Sequence, residues 1–181
     1  GDLTVEDMVL IDNATSMSYS YAGKIIASTA GDDVTLINVD ITTGSAGAPN
    51  SGMAIRSEKG NLTMIGCNVT SSSTKKAGNG GIVYQKAGTL TITDCTFNNG
   101  FATKGGNLYA EATTVAISGS TFTGGRSETG GQGGNIAIYD SSATITDSTL
   151  SNYLASMETG AKLYADGYIA VGQDTYYYKD F

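Results

Sequence analysis

The sequence predicts an all-β chain wound into a parallel β-helix, about six coils of 25–31 residues with three short strands in each. Three observations predict it: an internal repeat, apolar columns that alternate within that repeat, and an excess of glycine with a single proline. The 181 residues include 25 glycines, about twice the ordinary share, alongside 40% hydrophobic and 15% charged residues. Collagen needs glycine at every third position with abundant proline, and a disordered acidic chain lacks this much apolar material. The glycine therefore serves a regular fold.

The repeat is read directly from eight-residue segments that align without gaps. They are LTVEDMVL from Leu3, VTLINVDI from Val34, LTMIGCNV from Leu62, LTITDCTF from Leu90, VAISGSTF from Val115 and ATITDSTL from Ala143. Their starts are 31, 28, 28, 25 and 28 residues apart. The first column (Leu3, Val34, Leu62, Leu90, Val115, Ala143) and the third (Val5, Leu36, Met64, Ile92, Ile117, Ile145) are apolar throughout. Threonine fills most of the column between them, so the segment alternates in and out as a strand does.

The fifth column reads Asp7, Asn38, Gly66, Asp94, Gly119, Asp147. Those residue types tolerate a left-handed backbone best, and they predict a corner at which a second short strand begins. After the corner, the inward positions resume with Met8, Val39, Cys67, Cys95, Ser120, Ser148 and then Leu10, Ile41, Val69, Phe97, Phe122, Leu150. Cys67 and Cys95 thus fall in one inward column on adjacent coils. Stacked strands hold Cβ atoms farther apart than a disulfide prefers, so stacked free thiols are expected.

Each unit then passes through a loop of Gly, Ser, Thr and Asn before a third strand announced by glycine. The third strands read GKIIA from Gly23, GMAIR from Gly52, GIVYQ from Gly81, GNLYA from Gly106 and GNIAI from Gly134, with AKLYA from Ala161. Their predicted inward column is Ile25, Ala54, Val83, Leu108, Ile136, Leu163, and the next, outward column is Ile26, Ile55, Tyr84, Tyr109, Ala137, Tyr164. A unit of this size cannot bury its apolar face alone, so the units must stack. The solenoid is expected over residues 1–167 as one domain. Residues 168–181 are expected to leave the repeat, as a cap or as the start of a further module.

The paired glycine before a strand, in GGIV from Gly80, GGNL from Gly105 and GGNI from Gly133, with FNNG from Phe97, resembles repeats of the polymorphic outer-membrane protein family. Those are surface-displayed β-helical adhesins, whose GGA-aliphatic form is replaced here by GGN in two units. More broadly the strand–corner–strand pattern looks like the right-handed parallel β-helices of the pectate-lyase-like superfamily found in large bacterial surface proteins. The resemblance implies a right-handed coil, a secreted or cell-surface bacterial location, and neighbouring modules in the same chain.

Composition narrows the chemistry. With no histidine, the general bases, zinc sites and nucleophile pairs that depend on imidazole fall away. A formal charge of -7 without any run of basic residues argues against nucleic acid, and no apolar run reaches the ~20 residues of a membrane-spanning helix. The β-helical polysaccharide lyases and hydrolases that the fold resembles cluster Asp, His, Arg or Lys on one outer face. Here Asp94 and Asp147 are separated by the coil of Gly119, and the two arginines, Arg56 and Arg126, lie in different segments.

The expected function is therefore a non-enzymatic module, an adhesin or stiff spacer that meets a host glycoprotein or glycan through its side faces or loops, without cofactor or metal. An active or remnant polysaccharide-degrading enzyme and a self-associating structural module are the alternatives. Candidate binding residues are Tyr84, Tyr109 and Tyr164, which bring apolar area with a polar tip, together with Arg56 and Arg126. Against them stands the reading that the tyrosines pack under the loops. An outward threonine column, interrupted at Ala116, also invites comparison with ice-binding solenoids. Glycosylation sequons stand at Asn13, Asn61 and Asn68.

Overall fold

The protein is described by a computed structural model over residues 1–12, 25–45, 51–72, 75–128 and 131–152, and by the backbone of residues 163–171 and 174–177. It is an all-β solenoid of about five turns in which every coil-to-coil strand pairing is parallel. The first strands are Leu3–Glu6, Val34–Ile37, Leu62–Ile65, Thr89–Thr93, Thr114–Ser118 and the second half of Ile136–Thr146. They pair in the predicted register, with Leu36 beside Met64 and Met64 beside Ile92. Their inward columns form one continuous core in which Leu36, Leu62, Met64, Leu90 and Ile92 are fully buried.

All six residues of the corner column adopt positive φ, between 49° at Asp7 and 62° at Gly66. Beyond the corner stand the second strands, Val9–Ile11, Asp40–Thr43, Asn68–Ser71, Thr96–Asn98, Thr121–Thr123 and Thr149–Ser151. They pair in sequence order as a separate sheet. Phe97 and Phe122 stack inside it with ring centroids 4.7 Å apart. Cys67 and Cys95 are both free and buried, as their column predicts. The Cys67 amide donates to Cys95 Sγ at 3.3 Å, the Cys95 amide to Ser120 Oγ at 3.0 Å and the Ser120 amide to Ser148 Oγ at 3.1 Å. Side chains of this column thus join the four coils from Cys67 to Ser148.

The third strands are Ile26–Ser28, Ile55–Glu58, Val83–Lys86, Leu108–Glu111, the first half of Ile136–Thr146, and Leu163–Val171. Their register corrects the expected columns in the first two coils. Ile26 pairs with Ile55 and Ile55 with Val83, so Ile26 and Ile55 belong to the buried inward column expected for Ile25 and Ala54. The reason lies in the glycine before the strand. The Gly52 amide donates to the Gly80 carbonyl at 2.9 Å, and both take left-handed φ of 64° and 65°, so Gly52 is the counterpart of Gly80 and not of Gly81.

Two further differences are found. The segments read as loops pair as a third, lateral sheet of Ala77–Asn79, Phe101–Lys104 and Arg126–Ser127. The repeat also runs past residue 167: Ala143 pairs with Ile169 and Ile145 with Val171. Asp174–Tyr177 then turns back antiparallel on that strand, Tyr168 opposite Tyr177.

Candidate functional site

The corrected register rewrites the outward column of the third strands as Ala27, Arg56, Tyr84, Tyr109, Ala137 and Tyr164. Arg56, which the sequence places one position away, is therefore a direct neighbour of Tyr84. Its guanidinium carbon lies 4.9 Å from the centre of the Tyr84 ring and its charge is paired with Glu58. Tyr84 and Tyr109 stack at 5.5 Å with their planes 4° apart, and Tyr139 adds a tilted ring 5.3 Å beyond Tyr109. The ammonium of Lys104 sits 4.4 Å over Tyr139 and closes the row.

This row is not an open platform. Tyr84 is 7% and Tyr109 5% exposed, and with Ala137 they form an apolar cluster separate from the main core. Burial holds both phenols above the ordinary tyrosine range, and Glu111 adds to the effect at each. Tyr109 Oη donates to Glu111 Oε2 at 3.1 Å, and Tyr139 Oη to Gln132 Oε1 at 2.6 Å in the segment after the lateral strand. Tyr84 and Tyr109 thus pack against each other, Arg56 and Tyr139, and of these rings Tyr139 reaches the lateral segments through Gln132 and Lys104. The side chain of Tyr164 lies outside the described residues.

The lateral excursions are held at their necks by asparagine. Asn107 is fully buried; its Oδ1 accepts from the Gly100 amide at 2.8 Å, and its Nδ2 donates to Thr123 O and to Asn135 Oδ1 at 3.1 and 2.8 Å. Asn135 repeats the pattern one coil on, accepting from the Gly125 amide and donating to Ser151 O. The GGN units that depart from the adhesin pattern therefore build a buried amide ladder. Sequence reading missed it, although an asparagine recurring after paired glycines was its visible signal.

Arg126 lies apart from the tyrosine row. It begins the third lateral strand, pairs with Phe101 and lies with its guanidinium carbon 3.8 Å over that ring. Lys76 stands beside the first lateral strand and is ion-paired with Glu128. The fold thereby gathers Lys75, Lys76, Lys104 and Arg126 on one edge, although no run of basic residues announces them.

Of the other candidates, Asp94 and Asp147 stand exposed in the corner column with Gly119 between them. Among the described residues, no group of three or more metal-ligating side chains is placed to hold an ion. The Cys67 thiol hydrogen-bonded beside it and burial together push the Cys95 thiol well above the ordinary cysteine range. The threonine column pairs in register on the outer face of the first strands, with Ala116 in its expected place. Asn61 is occupied structurally: its amide group donates to Asp33 and its oxygen accepts from Thr89. Asn68 is exposed and donates to Asp40, while Asn13 lies outside the described residues. In comparison with known proteins, no family model, no curated protein and no solved structure matches this chain, so the parallel solenoid itself is the level at which it is classified.

Proposed function

We propose that the chain is a stiff, non-catalytic module of a bacterial cell-surface or secreted protein, built as a right-handed coil like the β-helical adhesins it resembles. Its role is to hold its lateral strands and side faces at a fixed place for contact with a host protein or glycan. The observation that carries this reading is the continuity of coil-to-coil bonding. Backbone ladders run through the parallel sheets, and the sulfur–hydroxyl column and the buried asparagines add side-chain bonds between coils. Bonding of that kind resists bending between units, as a spacer requires.

On the lateral strands Phe101 is half-buried and Arg126 exposed, and Tyr139 ties the tyrosine row to them through Lys104 and Gln132. Tyr84 and Tyr109 act in this reading as supports, with Arg56 locked to Tyr84 and Glu58, and contact falls to Arg126 and its neighbours. Glycan and host-protein arrays probed with the wild type and with Phe101→Ala/Arg126→Ala test it. Binding that the double variant loses supports the reading. Calcium-dependent release of unsaturated or reducing sugars from acidic or neutral polysaccharides would overturn it in favour of an enzyme.

A further inference from the structure

Asn79–Gly80 and Asn99–Gly100 are the Asn–Gly dipeptides of this chain. In such a pair the glycine amide nitrogen can attack the asparagine Cγ, because glycine puts no side chain in the way. Ammonia leaves, a five-membered succinimide forms, and water opens the ring to aspartate or isoaspartate. The attacking nitrogen must first lose its proton, so an amide held in a hydrogen bond is protected. The fold holds these two glycine amides in different ways.

Asn99 and Gly100 join the second strand Thr96–Asn98 to the lateral strand Phe101–Lys104, and the turn selects both residues. Asn99 takes a left-handed φ of 64°, which asparagine tolerates better than most residues. A Cβ on Gly100 would lie 1.9 Å from the Gly106 carbonyl oxygen, so a larger residue needs the backbone to move. Asn99 is exposed to water, whereas Gly100 is buried. The Gly100 amide is bound by a side chain and not by the backbone of a neighbouring coil: it donates to Asn107 Oδ1 at 2.8 Å. Asn79 is half-buried at the end of its lateral strand, and the Gly80 amide donates at 2.9 Å to the Lys104 carbonyl, a backbone bond between coils. One coil beyond Asn99, Asn135 Oδ1 takes the Gly125 amide in the same way, but the residue before it is Gly124, which has no side chain to attack.

We propose that Asn99 is a deamidation site gated by Asn107. While the lateral excursion is seated, the neck asparagine withholds the Gly100 amide; when that bond opens, the Gly100 nitrogen is free to close the succinimide on Asn99. Asn107 is a positioning residue and takes no part in the bond changes, whose one co-reactant is water. The product adds a negative charge, and its isoaspartate form also adds a methylene to the main chain, at the joint between the second and lateral strands. A transient local opening is thereby recorded as a lasting covalent change. The inference goes beyond the surface-module reading and does not depend on it.

Ageing the protein at mildly alkaline pH, followed by peptide mapping that separates asparagine, aspartate and isoaspartate, tests it. In the chain unfolded in urea the two dipeptides are expected to react at similar rates. In the folded wild type both should slow, with Asn99 still reacting roughly ten-fold faster than Asn79, because a side-chain bond opens more readily than a rung of the ladder. Asn107→Ala is expected to raise the rate at Asn99 roughly ten-fold relative to Asn79, a ratio that a general loss of stability would leave unchanged. Should that variant unfold on a thermal scan, the wild type in urea below its own transition replaces it: the rate at Asn99 and the hydrogen exchange of the Gly100 amide should rise in proportion. Reaction at Asn99 in the folded protein as fast as in the unfolded chain overturns the proposal. So do equal rates at Asn79 and Asn99 in the folded protein, a ratio that Asn107→Ala does not change, or exchange at Gly100 that rises without the reaction at Asn99.

Discussion

Asp94 and Ala87 show two ways in which this chain turns a corner. Asp94, like Asp7, Asn38, Gly66, Gly119 and Asp147, belongs to a column of residues suited to left-handed backbone, and that corner is legible from the sequence for this reason. The corner between the third and first strands is not. There Lys59, Ala87, Ala112 and Asp140 take φ between 46° and 69°, and neither lysine nor alanine favours that region. They are held by the ladder: the amides of Lys59, Ala87 and Ala112 donate to Lys86, Glu111 and Tyr139 of the following coil at 2.7, 2.9 and 3.0 Å. Tertiary bonding here overrides a local preference worth about 1–2 kcal/mol. Ala87→Gly should relieve the strain and, after the greater entropy of the unfolded glycine, raise stability by about 0.5 kcal/mol in urea melts. Gly105→Ala is expected to go the other way. At its φ of 62° an added Cβ would meet the Leu108 carbonyl oxygen at 2.0 Å, so the backbone must move, at a loss of roughly 2 kcal/mol or more.

The strands divide in the same way between what a pattern can show and what only pairing decides. The first and second strands alternate cleanly, and their register follows from burial on one face. In the third strands, adjacent apolar residues such as Ile25–Ile26 and Ala54–Ile55 satisfy either phase, so glycine was the only anchor, and a Gly–Gly pair offers two. Gly52 chose its partner by conformation, pairing with left-handed Gly80, and that one-residue difference moves Arg56 into the tyrosine column. The lateral strands were invisible for another reason: Ala77–Asn79 and Arg126–Ser127 are too short and too polar to alternate. What defines them is the neck behind. Asn107→Ala removes the partner of the buried Gly100 amide, an unmet group that costs about 1–3 kcal/mol, and one of two donors to Thr123 O, which keeps the Asn99 amide at 3.0 Å. The expected loss is about 2 kcal/mol of stability, read as a lower denaturant midpoint at unchanged slope, with the lateral amides exchanging faster with deuterium than those of the first strands. A loss of protection spread evenly over all strands would show that the neck does not control the excursion.

At the scale of the whole molecule, the repeat makes each coil exchangeable with its neighbours, which is why the solenoid was readable even where strand phases were not. Excision of residues 115–142, one 28-residue unit of the 181, puts this to the test. Thr114 pairs with Ser142 and Val115 with Ala143, so joining Thr114 to Ala143 sets Ala143 on Leu90, Ile145 on Ile92 and Leu150 on Phe97 in the existing register. The third strand Leu108–Glu111 then meets Leu163–Val171, because both pair at equivalent positions with the excised Ile136. Even the buried asparagine keeps a partner: Asn107, deprived of Thr123 O, comes to face Ser151 O, which Asn135 engages in the intact chain. The shortened protein is therefore expected to fold with the same β-sheet circular dichroism per residue. Its denaturant slope should fall by about 15%, in proportion to the surface removed, and its midpoint should fall because Ala143 fills less space above Leu90 than Val115 does. Unfolding in a single transition supports a stack of nearest-neighbour contacts. Failure to fold would mean that the coil is individually required, and that the regularity of the columns overstates how alike the units are.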